Sequence, residues 1–332
     1  TRLLGPIHRV NGFHAPERNE TVEQVLKNSS IYKFNINEDR PHPVERGISY
    51  VVELNETLSL PSDISAEVDT KSTGGRNFLR CRVVTDNNPR HNIIPNGYEG
   101  KLFLEFTSLA FLERFRAGDR IMQIRFYNGD ASIPDEELRK IHRMHTIAYD
   151  KEGNAITSER DLINNGLVLR ADLSEEVVGY TPLHNDYPVE YGKKNSNLTK
   201  DYWVTIPKRS DGTVVLSPHT MAILGTLECP SIPFRYSAKM KQYEPSITGD
   251  DKSNEAGFFD TAFGLGRDKI LRGSTAVLEY IVSLKPKTIR HKEAIAVLEF
   301  ENLIDIPDVL YGDGEVNSYQ GQRGPKLPNQ FY

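Results

Sequence analysis

Short runs rich in Val, Ile, Phe and Tyr recur along the chain, each closed by Gly, Pro, Asn or Asp. They lie at 48–54, 64–68, 78–84, 102–106 and 121–127, then at 167–173, 202–206, 213–216, 276–282 and 294–300. Runs of this length and make-up predict β-strands separated by turns. Apolar positions at helical spacing are scarce. One stretch, 134–145 (PDEELRKIHRMH), carries Pro in its first turn and acids ahead of bases, as a helix dipole favours. The pattern predicts an all-β sandwich or jelly roll with one short helix.

The strands repeat. Leu102-Phe103-Leu104-Glu105-Phe106 is echoed by Ala276-Val277-Leu278-Glu279-Tyr280, and RAGDRIMQIRF from Arg116 by RHKEAIAVLEF from Arg290, both 174 residues on. A looser echo links Thr57-Leu58-Ser59-Leu60-Pro61 to Thr226-Leu227-Glu228-Cys229-Pro230. Two consecutive strands at one offset predict two copies of one β-domain. The first copy spans 1–132, a linker with the helix spans 133–160, and the second copy spans 161–332. The offset sets 167–173 opposite the first few residues, so the first copy is expected to have an incomplete first strand. The chain opens at Thr1 rather than Met, which fits a trimmed or processed start.

Length and charge narrow the function. A chain of 332 residues holds two cores of ordinary size. Its net charge of −5 and lack of a basic block argue against a nucleic-acid polymer as partner, but leave room for a single nucleotide in a local cationic pocket. Cys81 and Cys229 form no C-x-x-C pair, a usage that suits a reducing cytoplasm. No apolar run has membrane-spanning length.

Chemistry concentrates in a few places. Lys71-Ser72-Thr73-Gly74-Gly75-Arg76 combines hydroxyls, glycines and flanking cations, the ingredients of a phosphate cradle. In isolation the solvated Gly-Gly turn is the favoured reading, and the stretch lacks the spacing of a Walker motif. Glu105 and Glu279 each interrupt an apolar strand, where simple alternation would put them in solvent. Their repeat-equivalent placement, downstream of the Gly-containing segments 94–100 and 257–264, raises their interest. A zinc deaminase needs a His and Cys set that two isolated cysteines do not supply. His142 and His145 share a face of the helix, where exposed histidines are commoner than ligands.

Several of these segments resemble dCTP deaminases. Lys71 to Arg76 is similar to their Ser-Ser-x-x-x-Arg phosphate motif. Tyr98-Glu99-Gly100 through Glu105, then Arg116-Ala117-Gly118-Asp119-Arg120-Ile121 and Gln123, resembles their hairpin, catalytic strand and R-x-G-x-x-I-x-Q segment. Gly257-Phe258-Phe259-Asp260 with Phe263-Gly264 is similar to a hairpin shared with dUTPases, and Tyr319-Gln320-Gly321-Gln322-Arg323-Gly324-Pro325 to the deaminase tail Y-Q-G-Q-x-G-P. The resemblance covers almost the whole chain. It implies tandem dUTPase-like distorted jelly rolls, homotrimeric association, and sites shared between domains. It further implies a magnesium-bound triphosphate without zinc, and a Glu that moves the proton of the attacking water. Glu279, Glu105, Arg76 and Ser72 are the implied catalytic set. Lys71, Ser72, Thr73, Gly75, Arg76, Phe259, Asp260, Tyr319, Gln320, Gln322 and Lys326 are the implied nucleotide contacts.

The chain departs from the pattern in three places. Pro95 stands where the hairpin has Asp, Tyr236-Ser237-Ala238-Lys239-Met240 stands where the second copy should carry the phosphate motif, and an insertion separates Asp260 from Glu279. Each copy is degenerate in a different place, so a working site is expected to combine the first copy's cradle with the second copy's hairpin. That logic favours Glu279 over Glu105 as the acid–base, and the tail, within the last fourteen residues, is expected to be a lid that orders over bound nucleotide. The expected reaction is deamination of dCTP to dUTP and ammonia in the cytoplasm. A dUTPase, a bifunctional enzyme, or an inert nucleotide-binding regulator are the competing readings.

Overall fold

The computed structural model describes residues 1–249, 251–313 and 318–332. The chain divides into two compact units. The first comprises 1–130, 183–202 and 328–332; the second comprises 131–182 and 203–327. Both are predominantly β, and each of the ten strand runs read from the sequence falls on a strand.

In the first unit a five-stranded sheet runs in the order Ser30–Phe34, Leu3–Val10, Ser49–Ser59, Glu99–Ser108, Leu79–Val84. A second sheet joins Met122–Asn128, Ile64–Thr70 and Ile93–Ile94. Alternation drives the packing: Tyr50, Val52, Leu104 and Phe106 of the first sheet meet Ala66, Val68, Ile94 and Met122 of the second in one buried cluster. Among the elements that escaped the sequence reading, two open the first unit. The strand Leu3–Val10 is one, and Arg2 also bridges Arg120, the repeat counterpart of the Arg170 to Ala294 pair. The helix Val22–Ser29 is the other. It starts in a capping box, in which Gln24 N–H donates to Thr21 Oγ1 at 3.2 Å and Thr21 N–H donates to Gln24 Oε1 at 2.7 Å.

The second unit repeats the plan. One sheet orders Leu167–Arg170, Ala294–Asn302, Tyr236–Gln242 and Phe258–Phe259; another orders Trp203–Pro207, Val177–Pro182, Met221–Gly225 and Val277–Ile281. The helix Asp135–His145 contributes Leu138 and Ile141 to this unit's core. Burying each such side chain is worth about 1.5–3 kcal/mol. His142 is buried rather than exposed. Its Nδ1 accepts from Ile147 N–H at 3.2 Å, leaving Nε2 to donate to the Ile156 carbonyl at 2.8 Å, so it is a satisfied core histidine.

Strand pairing fixes the repeat residue by residue. Val68 pairs with Ile124 as Met240 pairs with Leu298, and Ala66 pairs with Ile94 as Ala238 pairs with Phe259. The residues after Ile94 and Phe259 are Pro95 and Asp260, the equivalence read from the sequence. The assignment of 236–240 to the phosphate motif is corrected. Those residues lie inside the strand Tyr236–Gln242, where Ser237 Oγ donates to Glu301 at 3.4 Å and Lys239 pairs with Glu301 at 2.8 Å. The counterpart of the Lys71–Arg76 turn is the short helix that follows this strand, Pro245–Thr248, preceded by Glu244. An acid heads that turn and no cation closes it.

Candidate active site

The turn after the strand Ile64–Thr70 is wound tightly. Lys71 N–H donates to the Ile121 carbonyl at 2.9 Å, and Gly75 N–H donates to the Lys71 carbonyl at 3.0 Å. A Cβ at Gly74 would lie 3.1 Å from Thr70 Cγ2, tighter than ordinary contact, so the small residue keeps the turn close to its strand. Gly74, Gly75 and Arg76 are buried, with Arg76 only 4% exposed. Burial, followed by the charges of Arg120 and Lys194, lowers the proton affinity of the Lys71 amine. The charges of Arg120 and Lys194 thus reach Lys71, which adjoins the hydroxyl-bearing Ser72 and Thr73. Lys194 lies in the 183–202 excursion, and nothing in its local sequence signals this role.

The two repeated carboxylates occupy matching strand positions with different surroundings. Glu105 sits on Glu99–Ser108 between Val51 on one neighbouring strand and Arg82 on the other. Its side chain is 16% exposed, and Oε2 lies 3.6 Å from His91 Nε2, beyond direct hydrogen-bond distance. Both of those atoms are buried without a hydrogen-bond partner. Burial raises the proton affinity of Glu105, and Arg82 offsets part of the effect. Burial and then Arg82 lower that of His91.

Glu279 sits on Val277–Ile281 opposite Ile223 and is 2% exposed. Its Oε2 accepts from the backbone N–H groups of Glu255 and Ala256, each at 2.7 Å. Short bonds from two amides to one oxygen fix the side chain.

Phe259 is buried and meets Phe263 edge-on at 5.1 Å, while Asp260 is exposed at the start of the insertion. The insertion closes over the strand Cys229–Pro230. A Cβ at Gly264 would fall 2.1 Å from the Pro230 carbonyl oxygen, and one at Gly273 would fall 2.2 Å from that of Cys229.

The tail is docked on the second unit. Gln320 accepts from Gly264 N–H and donates to the Ala262 carbonyl, both at 2.8 Å. Gln322 donates to the Thr275 carbonyl at 2.6 Å, and Gly324 N–H donates to Thr275 Oγ1 at 3.1 Å. Lys326 Nζ lies 5.8 Å from the centre of the buried Tyr319 ring and donates to the Ser318 carbonyl. The insertion supplies the carbonyls and amides that hold this segment, the one read from the sequence as a lid. Among the described residues, no three His, Cys, Asp or Glu side chains cluster as a metal site.

Comparison with known proteins decides the family. The model of the 2'-deoxycytidine 5'-triphosphate deaminase N-terminal domain matches residues 2–130, and that of the C-terminal domain matches residues 134–331. The chain belongs to the dCTP deaminase family. Among solved structures it is similar to the 2'-deoxycytidine 5'-triphosphate deaminase of Agrobacterium tumefaciens, at 30% identity and a TM-score of 0.82, covering 92% of this chain and 88% of that one. No curated protein sequence matches. Both family domains are thus present in one polypeptide, on the two β-rich halves that the repeat marks out.

Proposed function

We propose that the chain hydrolyses dCTP to dUTP and ammonia. One O–H bond of water breaks as its oxygen bonds to C4 of cytosine, and the proton passes to a Glu carboxylate. That proton then moves to the amino nitrogen as the C4–N bond breaks and ammonia leaves. The remaining water proton ends on N3 of uracil, so atoms balance.

The observation that carries this reading is the environment of Glu105. It is a buried carboxyl of raised proton affinity, in the same unit as the cationic turn Lys71–Arg76. A general acid–base works best when its proton affinity approaches the working pH, and burial moves a carboxyl in that direction. Glu105 is therefore the proposed proton carrier. Glu279, pinned by two amides, is proposed as a fixed acceptor that shapes the segment ahead of Asp260. This reverses the preference drawn from motif degeneracy alone.

The substrate is taken as the magnesium complex of the triphosphate. Lys71, Ser72, Thr73, Gly75 and Arg76 are proposed to receive its phosphates, and Phe259 and Asp260 are proposed nucleotide contacts of the second unit. Gln320 and Gln322 are committed to their own unit's backbone, so their proposed role is to shape the tail around Tyr319 and Lys326. A homotrimer and a cytoplasmic setting belong to the same proposal.

Incubation with dCTP and magnesium, followed by chromatography and an ammonia assay, tests it. Equal amounts of dUTP and ammonia support the reading. Accumulation of dUMP would make the enzyme bifunctional, and tight nucleotide binding without turnover would leave a regulator.

A further inference from the structure

We propose that His91 is a positioning residue that holds and tunes the proton of Glu105. The inference rests on the assignment of Glu105 above, and three observations carry it.

The first is geometric. Nε2 of His91 and Oε2 of Glu105 are 3.6 Å apart, both buried, and neither has a hydrogen-bond partner. Two orphaned polar atoms at this separation are too far apart for a good direct bond but close enough for one small group to reach both. Leaving each unsatisfied costs free energy, so the pair is arranged for something other than stability.

The second comes from the repeat. Ile93 pairs with Glu67 as Phe258 pairs with Lys239, which makes His91 the counterpart of Ala256. In the second unit the Ala256 backbone N–H donates to Glu279 at 2.7 Å. In the first unit a titratable ring faces the equivalent carboxylate instead. A main-chain amide only donates, and so favours the ionised carboxylate. A neutral imidazole can accept, and so favours the protonated one.

The third concerns charge. The strand on one side of Glu105 sets apolar Val51 beside it, and the strand on the other sets Arg82. Burial and then Arg82 lower the proton affinity of His91, while burial raises that of Glu105 and Arg82 offsets part of it. Neutral His91 therefore supports the protonated Glu105 that must deliver its proton to the leaving nitrogen. Protonated His91 beside a Glu105 carboxylate is the other arrangement of the same single proton, and it withholds that proton from the leaving nitrogen.

The test follows the His91 ring by NMR with histidine-selective ¹³C labelling across pH, in the full chain and in Glu105→Gln. Removing the carboxylate removes an attractive charge, so the His91 midpoint should fall in the variant. An unmoved midpoint would overturn the inference whether or not the protein turns over dCTP.

Kinetics supply a second readout. His91→Gln should lower kcat about 10-fold to 100-fold with little change in KM, and move the acidic limb of the pH profile to lower pH. In Glu105→Gln the same change should have no further effect. Equal losses from His91→Gln in both backgrounds, or an unmoved pH profile, would reduce His91 to a packing residue. A wild-type protein that leaves dCTP intact would instead reject the functional reading alone.

Discussion

The backbone N–H of Ala256 donates a 2.7 Å hydrogen bond to Oε2 of Glu279, whereas the residue at the same repeat position in the first unit, His91, approaches Glu105 without bonding it. One fold position thus serves a fixed carboxylate in one copy and a protonatable one in the other.

Glutamine substitutions separate the two roles. Glu105→Gln should cost roughly 10²–10⁴-fold in kcat with little change in melting temperature, the loss expected for an acid–base. Glu279→Gln should lower stability by about 1–3 kcal/mol, because an amide group replaces the oxygen that serves both N–H donors, and affect kcat less. Steady-state kinetics and thermal melts on both variants check this. A severe kcat loss confined to Glu279→Gln would return proton transfer to the second unit.

Much of this arrangement is legible in the sequence, and the limits have physical causes. The 174-residue offset is visible because inward-facing apolar positions on paired strands must recur together. The Pro95 and Asp260 equivalence survives for the same reason. The counterpart of the phosphate turn is not legible, because Glu244–Thr248 shares no residue type with the cradle at the matching positions and Tyr236-Ser237 offers a false hydroxyl. The helix Val22–Ser29 is announced by Thr21 and Gln24, but two turns are too few for its apolar spacing to stand out. His91 carries no motif at all. Only the strand register brings it to Glu105.

Removing the tail should destabilise the protein as well as inactivate it. Truncation before Ser318 deletes the Gln320, Gln322 and Gly324 bonds to residues 262–275. The melting temperature of the truncated protein should fall by several degrees, at roughly 2–4 °C per kcal/mol for a domain of this size. An unchanged melting temperature with lost activity would instead favour a lid that orders only over bound nucleotide.

Stability should also depend on Glu113, which is fully buried and accepts from Ser108 Oγ at 3.4 Å. Burial pushes its proton affinity up to about 8, from an ordinary 4.5. Between those values the folded state binds the proton more tightly than the unfolded state. This contribution is therefore fully present below about pH 4.5 and lost as pH rises through about 8. Asp119, raised by burial to about 6, acts in the same direction. Glu113→Gln should melt higher than the parent at pH 8, with the difference shrinking toward pH 5. A difference that grows toward acid would refute the assignment.

Metal use divides cleanly between two mechanisms. Cys81 and Cys229 are both buried, and burial raises the proton affinity of the Cys229 thiol, an unfavourable state for a zinc ligand. Activity should be lost to a chelator and recovered with magnesium alone. One zinc per chain by elemental analysis, with activity tracking its removal, would contradict a carboxylate-activated water.

The most direct test of the account is turnover of dCTP in ¹⁸O-labelled water, with products read by mass spectrometry. The account predicts dUTP carrying one ¹⁸O in its base, none in its phosphates, one ammonia per label, and loss of this turnover in Glu105→Gln. Label appearing in the phosphates with an intact cytosine would contradict it.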